Sequence, residues 1–234
     1  METLQWLKTQ KGFKMNAELF AEACKSGNLE MIKGLRSEGC PWDEEACRGA
    51  AESGHLETLK WLRSNGCPWN EIAYFSPAKD GRFEVLQWLR SEGCPLGNGG
   101  VWVAAAMGGH LEIMKWLQSE GCPLSIHACW GAAAGGHLEA LKWLRSEGCP
   151  WDERTCRRAA SGDHLDVLKY AQEHGCPWDV WTWYRAGEAT REWLMEINCP
   201  WVHLDPDDHD PELFDDSDSE DADIRHAALY RPLF

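Results

Sequence analysis

Apolar residues recur along this chain with the spacing of two short helices, and the pattern returns about every 27 residues. The clearest copy begins at Gly54 and ends at Trp69, with Leu56, Leu59 and Leu62 on one helical face. Each copy closes on a Gly-Cys-Pro step, and an insertion precedes the fourth. The cysteines of these steps are Cys40, Cys67, Cys94, Cys122, Cys149 and Cys176. Internal repetition at this period predicts a solenoid.

Each repeat predicts an antiparallel helical hairpin, whose members we call helix A and helix B. In the second repeat, Asp43 can cap the start of helix A, and Gly54 can end it in the left-handed conformation. Helix B then ends at Gly66, and Pro68 prevents its continuation. One hairpin has too little apolar surface to fold alone, so neighbours must stack. The predicted fold class is therefore an all-α solenoid of stacked antiparallel hairpins.

The repeats divide the chain into a predicted solenoid and a tail. The solenoid covers residues 1–201 and begins with a half repeat at 1–15, which copies helix B alone. Six repeats follow, to about residue 177, and a shortened cap repeat occupies residues 178–201. The change in composition after Trp201 marks the end of the repeats.

Two stretches depart from the repeat. Pro77 stands inside helix A of the third repeat, where a proline costs about 3 kcal/mol. We therefore expect that helix to end or kink near Phe75. Residues 97–100 are glycine-rich, but they carry no lysine and follow no strand, so they are interpreted as the inserted turn of the fourth repeat.

The tail has two parts. Residues 202–223 hold eleven Asp and Glu with no Lys or Arg, a composition that predicts a disordered acidic segment. Ser217, followed by acidic residues, could accept phosphate, and the alternative is a purely solubilising tail. Residues 224–234 are apolar enough to be a short docking segment or a strip folded back on the last repeat.

Composition limits the compartment and the partners. No stretch of about 18 apolar residues occurs, and the N-terminus lacks the design of a secretory signal, so we expect an intracellular protein, cytoplasmic or nuclear, without membrane contact. The net charge is -15. Binding to nucleic acid depends on clustered Lys and Arg, and so is not expected.

The eleven cysteines mostly follow the repeat. Seven occupy the Gly-Cys-Pro position or its last variant at Cys199, and three more share one position in helix A: Cys47, Cys129 and Cys156. A free cysteine behaves as a small buried hydrophobe, which favours a packing role. The alternative is a thiol-based metal or redox-sensing protein that uses Cys40, Cys67, Cys94 and their equivalents.

The tryptophans also follow the repeat. Eleven of the fifteen stand either after Cys-Pro or in the middle of helix B. A regular column of aromatic residues is more often core than a ligand cage, so we expect these side chains to be buried.

Histidines recur immediately before helix B, at His55, His110, His137 and His164. A residue there can satisfy free backbone groups at the start of a helix. Stacked helices lie about 8–10 Å apart, too far for these side chains to share a zinc ion. No known catalytic or nucleotide-binding motif occurs, so we expect no enzyme activity, cofactor or metal.

The helical part of the repeat resembles an ankyrin repeat. Residues 50–66 contain the paired alanines, the Gly-His-Leu-Glu step, the apolar second helix and the terminal glycine of that family. Ankyrin repeats run to about 33 residues, with a β-hairpin finger and a Thr-Pro-Leu-His turn that are both absent here. The match over residues 1–201 therefore resembles a short, finger-less variant. It implies a scaffold for protein–protein interaction, without the contact residues that the fingers carry.

One face of helix A varies between repeats, whereas the core positions are kept. Relative to the residue before helix B, this face holds the positions three, seven and ten residues earlier. Aromatic residues and Arg commonly anchor interfaces. We therefore predict a non-catalytic interaction module whose variable face binds a protein partner. The candidate contact residues are Arg48, Phe75, Met107, His127, Trp130, Arg154 and Arg157.

The alternative for this face is drift on a solvated surface. We expect a monomer, with end-to-end stacking through residues 1–15 as the other possibility.

Overall fold

The structure, a computed structural model, describes residues 14–97 and 99–204. Every regular element in these two ranges is helical, as the sequence predicts. Most of the half repeat predicted at residues 1–15 lies outside them. Ser217 and the apolar segment 224–234 also lie outside the described residues, as does most of the acidic segment.

The chain forms two compact units, Met1–Gly97 and Asn98–Phe234. In both, the odd-numbered helices are helix A of a repeat and the even-numbered ones are helix B. The helices of the N-terminal unit are α1 (Ala17–Ser26), α2 (Leu29–Ser37), α3 (Glu44–Glu52), α4 (Leu56–Ser64), a 3-10 helix (Glu71–Tyr74) continuing as α5 (Phe75–Lys79), and α6 (Phe83–Ser91). Those of the C-terminal unit are α7 (Gly100–Met107), α8 (Leu111–Ser119), α9 (Ala128–Ala134), α10 (Leu138–Ser146), α11 (Glu153–Ser161), α12 (Leu165–Glu173), α13 (Val180–Tyr184) and α14 (Glu188–Glu196).

A short polar side chain caps several A helices. The Asp43 carboxylate accepts a hydrogen bond from the backbone N–H of Glu45 at 3.1 Å, which confirms the predicted cap. Asp152 caps α11 in the same way, accepting from Arg154 at 3.1 Å. These bonds satisfy donors that a helix start leaves without a partner.

The cysteine after helix B connects the two ends of its own repeat. The Cys40 thiol donates to the carbonyl oxygen of Asn16, the capping residue of α1, at 3.4 Å. Four other repeats have the same bond at 3.3–3.5 Å, always to the residue 24 positions earlier. These pairs are Cys67 with Asp43, Cys94 with Asn70, Cys149 with Ser125 and Cys176 with Asp152. The thiol therefore fixes the turn after helix B to the start of helix A.

The cysteine position inside helix A is filled by residues of different volume. In the other repeats, its occupants are fully or almost fully buried aromatic residues: Phe20, Tyr74, Trp102 and Trp183. Two of them use a polar atom: the Tyr74 hydroxyl donates to the Cys94 carbonyl at 3.0 Å, and the Trp183 indole N–H donates to the Leu204 carbonyl at 3.2 Å. The core therefore changes shape from repeat to repeat at this position.

Histidine rings lie against glycines of the preceding repeat. Gly109 has a φ of 70°, and a Cβ on it would lie 2.5 Å from Nδ1 of His137. Gly27 has a φ of 67°, and its Cβ would lie equally close to His55. An L-residue in the left-handed conformation costs about 1–2 kcal/mol. Glycine is therefore required here both by the backbone conformation and by the ring of the next repeat.

The histidines do not cap their own helices, contrary to the interpretation from sequence. The His55 side chain makes no cap hydrogen bond, and its Nε2 instead lies 3.0 Å from the Lys25 carbonyl oxygen, in the last turn of α1. His164 binds the Ala134 carbonyl of α9 in the same way, at 3.1 Å. Because a carbonyl oxygen only accepts, Nε2 must carry the proton. The histidines therefore join consecutive repeats.

Two interfaces between repeats lack this pairing of a glycine with a histidine. In the third repeat Arg82 stands at the histidine position, and its Nη1 would lie 2.7 Å from a Cβ on Gly54. At the last interface Asp163 takes the glycine position with a φ of 55°. Its carboxylate accepts from the backbone N–H groups of Ala189 at 3.2 Å and Thr190 at 2.8 Å, and these bonds lower the pKa of Asp163. A side chain of the sixth repeat therefore caps helix B of the seventh.

The tryptophans after Cys-Pro are half-buried, and so are the described tryptophans in the middle of helix B, so the expectation of a tryptophan core was wrong for both positions. The Arg36 guanidinium lies 3.9 Å from the ring centroid of Trp42, and Arg63 lies at the same distance over Trp69. Arg36 also donates to the Cys40 carbonyl at 3.1 Å. The rings therefore form cation–π contacts at the edge of the core.

Helix A of the third repeat is divided at Phe75, as expected from Pro77. The 3-10 helix Glu71–Tyr74 comes first, and α5 follows directly. Pro77 has no N–H to donate to the residue four positions earlier, Ala73, so the regular α-helical ladder is interrupted there.

A pair of glycine substitutions would test the contact between histidine and glycine. Gly109→Ala and Gly148→Ala both place an L-residue at positive φ, but only Gly109 has a histidine ring within 4 Å. We expect Gly148→Ala to lower the free energy of unfolding by about 1–2 kcal/mol. Gly109→Ala should lower it by about 1–3 kcal/mol more, because the ring must move. Urea denaturation would measure both, and equal losses would contradict the role of the ring.

Acid should weaken the C-terminal unit through His137. Burial lowers the pKa of this histidine from its usual 6.5, although the Met107 carbonyl that it binds acts in the opposite direction. The unfolded chain therefore takes up a proton at higher pH than the folded chain. As pH falls below about 6.5, stability should decrease until the folded pKa is passed. Urea unfolding between about pH 7.5 and 5.5 would show this decrease. His137→Gln should show a smaller one, and an unchanged decrease would contradict the assignment.

Candidate functional site

The two candidate residues of the N-terminal unit differ in their surroundings. Arg48 binds two carboxylates of its own helix, α3: Nε lies 2.6 Å from Glu45 and Nη1 lies 3.0 Å from Glu52. Phe75 begins α5 and is partly exposed. The charge of Arg48 is therefore already balanced on its own helix, whereas Phe75 presents an apolar surface.

Two candidate residues, Met107 and His127, lie around a third, Trp130, in the C-terminal unit. The Trp130 side chain is only 3% exposed and packs with Val103, while Met107 lies against this pair and is partly exposed. The His127 ring lies 6.2 Å from Trp130 between centroids. Arg158, which the sequence analysis did not select, lies with its guanidinium 5.5 Å from the same ring. Trp130 therefore supports this face from beneath, and the partly exposed Met107 and His127 form the surface.

Trp130 also has a buried polar atom. Its indole N–H has no acceptor among the described residues. An unsatisfied buried donor costs about 1–3 kcal/mol.

The two candidate arginines of α11 have different environments. Arg157 donates to the Asp179 carboxylate, with Nε at 3.0 Å, and its side chain is 16% exposed. Asp179 also accepts from the backbone N–H of Trp181 at 3.1 Å and so caps α13. Arg157 therefore joins two neighbouring A helices. Arg154 lies in the first turn of α11 and is partly exposed.

Ile126 belongs to the same region but was missed by the sequence analysis. It is 60% exposed, and it precedes His127 at the start of α9. The copies of this position in the other repeats are Ala17, Glu44, Glu71, Gly99, Glu153 and Val180. A large apolar residue at a position that is glutamate in three repeats is a usable signal, but the position lies one residue before the variable face of helix A.

The buried thiols do not favour redox or metal chemistry. All eleven cysteines are buried, and burial raises the pKa of both Cys24 and Cys94 to about 12. The pKa of Cys129 is raised by its hydrogen bond to Cys149 and by burial, whereas the same bond lowers the pKa of Cys149. A thiol reacts as its thiolate, so high pKa values oppose reactivity. The redox alternative is therefore not supported.

The described residues form neither a metal-binding group nor a membrane-spanning helix. No group of three or more His, Cys, Asp or Glu is arranged to hold a metal ion in the described parts of the chain. In these parts, no helix has the length and apolar character needed to cross a membrane.

The architecture is that of an ankyrin-like helical solenoid. The ankyrin repeat domain of human ASB11 superposes with a TM-score of 0.53, covering 76% of this chain and 96% of that domain, at 17% sequence identity. This agreement confirms the resemblance at the level of the fold. No protein-family model and no curated protein matches the chain. The finger-less character is also visible, because the described ranges contain no β-strand.

Thiol labelling would test the packing role of the cysteines. In the native chain the eleven thiols should react with a thiol reagent at least about a hundredfold more slowly than in urea, because they are buried and several have raised pKa values. With a disulfide reagent that releases a coloured thiolate on reaction, absorbance would follow the rate. Rapid reaction of several thiols in the folded chain would contradict this role.

Proposed function

We propose that this chain is a non-catalytic protein–protein interaction module that binds a protein partner through the variable face of its A helices. One observation carries the proposal: the repeats keep their caps, thiol bonds and inter-repeat contacts while the residues of this face change. A framework that is kept beneath a surface that varies is typical of recognition by repeat proteins.

The region around Trp130 is the strongest part of this proposed surface. Ile126, Met107 and His127 offer apolar and aromatic surface, and Arg154 adds a positive charge. Interface centres commonly combine such residues with a rigid support. A partner segment with an apolar anchor and a nearby carboxylate would fit this chemistry.

The other candidate residues support or extend this surface. Trp130 holds the surface from beneath, and Arg157 fixes the neighbouring helix through Asp179. In the N-terminal unit, Phe75 supplies an apolar contact, and Arg48 offers a charge that Glu45 and Glu52 already balance.

Binding should depend on exposed residues whose loss leaves the core intact. The double variant Ile126→Asp, Arg154→Glu should bind the partner at least about tenfold more weakly. The first change replaces the apolar anchor by a charge, and the second reverses the positive charge beside it. The measurement is recovery of crosslinked partner with the tagged chain, followed by titration with the purified partner.

A matched control lies on helix B. Glu112→Ala removes an exposed ion pair with Lys115, of 3.3 Å, and should leave binding unchanged. Circular dichroism would confirm that both variants are folded. Full recovery of the partner by the folded Ile126→Asp, Arg154→Glu variant would refute the proposed face.

A further inference from the structure

The face around Trp130 contains two buried polar groups that packing alone does not require. The first is the indole N–H of Trp130, which has no acceptor among the described residues although the side chain is only 3% exposed. In the third repeat, Phe75 stands at the same position and supplies a ring without a polar atom. Because a buried donor without an acceptor is unfavourable, the indole of Trp130 indicates a use for its N–H.

The second buried polar group is the guanidinium of Arg158. The residue is 6% exposed, and the guanidinium lies 5.5 Å from the centre of the Trp130 ring. Two other repeats hold a glycine at this position, Gly49 and Gly131, where a Cβ would lie 2.8 and 2.7 Å from a carbonyl oxygen of the preceding helix A. A position that glycine can fill does not need a buried charge, so Arg158 indicates a role beyond packing.

The charges around this ring favour an anion. Helices α7 and α9 carry no Asp, Glu, Lys or Arg. Helix α11, which packs against α9, carries one glutamate and three arginines. The carboxylates that cap α11 and α13, those of Asp152 and Asp179, already accept hydrogen bonds from the backbone. An indole N–H and a guanidinium are both donors, and a carboxylate can accept from the two together.

We propose that the Trp130 indole N–H and the Arg158 guanidinium bind the carboxylate of a glutamate side chain in the partner. This inference rests on the proposed function and names the anchor residue that the partner brings to that surface. Met107 lies against the ring with a partly exposed, flexible side chain, and it moves aside to admit the carboxylate. The indole N–H then gains an acceptor.

The place of Trp130 on its helix favours a side chain over a chain terminus. Trp130 lies in the middle of α9, with Ile126 before the helix and Ala134 at its end. A partner segment that covers this helix therefore continues on both sides of the ring. Because the ring lies beneath the surface, the acceptor has to reach inward, and glutamate is the longer of the two acidic side chains.

The indole N–H signals of the full chain, isotope-labelled in its tryptophans, would test the site by magnetic resonance. The probe is N-acetyl-glutamate methylamide, whose only carboxylate is on the side chain, and its neutral counterpart is N-acetyl-glutamine methylamide. The Trp130 signal, identified by its absence in Trp130→Phe, should move downfield with the glutamate probe, with half-saturation at about 1–10 mM, and stay in place with the glutamine probe. In Arg158→Gln the affinity for the glutamate probe should fall about tenfold or more.

Trp102→Phe is the matched control. It removes another buried indole N–H that has no acceptor among the described residues, but Trp102 stands at the core position of helix A with its ring stacked on Trp143. The response of the Trp130 signal should be unchanged in this variant.

Two outcomes with these probes would overturn the proposal. One is a Trp130 signal that stays in place up to about 50 mM glutamate probe, or that moves equally with the glutamine probe. The other is a response to N-acetyl-alanine alone, whose carboxylate ends a chain, because the site would then recognise a chain terminus.

Titration with the purified partner from the crosslinking experiment separates this inference from the proposed function. Trp130→Phe should weaken binding about tenfold or more, whereas Trp102→Phe should leave it unchanged. Wild-type affinity in Trp130→Phe, together with lost binding in the Ile126→Asp, Arg154→Glu variant, would refute the glutamate site and leave the proposed face intact. Circular dichroism would confirm that each variant is folded.

Discussion

The contact between a histidine ring and the glycine of the preceding repeat is the constraint on which the rest of this structure depends. At Gly109 the backbone is left-handed and the His137 ring occupies the space of a side chain. The turn between helix A and helix B and the stacking of one hairpin on the next are therefore satisfied by the same pair of residues. A hairpin without its neighbour would lose both the packing of the ring and the partner of a carbonyl group, so folding of one repeat is coupled to that of the next.

Most of the fold could be predicted from the sequence, because it is encoded locally. The period, the capping residues, the glycine stops and the effect of Pro77 all follow from residues a few positions apart. The role of His55 could not be predicted in this way, since its hydrogen-bond partner, the carbonyl of Lys25, lies 30 residues earlier. The burial of Trp130 was also out of reach, because it depends on Val103 and Arg158 in the two neighbouring repeats.

The candidate site shows why variation between repeats has to be judged with the structure. Arg48, Trp130 and Arg157 occupy the same position in the second, fifth and sixth repeats and differ as a recognition surface would. Yet Arg48 binds two glutamates of its own helix, and Arg157 binds the cap of the next A helix. Part of the variation at this position therefore serves the stack itself, and the neighbouring exposed positions carry more of the proposed recognition.

The bond from each turn cysteine to the cap of its own helix A has a consequence for how such a chain can change in length. In the five repeats for which the structure describes this bond, cap and cysteine are always 24 residues apart, so an insertion between them would break it. The connection from Cys94 to α7 lies outside these 24-residue stretches, and it contains the one residue by which the fourth repeat is longer than its neighbours. Each connection from a cysteine to the next helix A is thus a place where residues can be inserted without disturbing a hairpin.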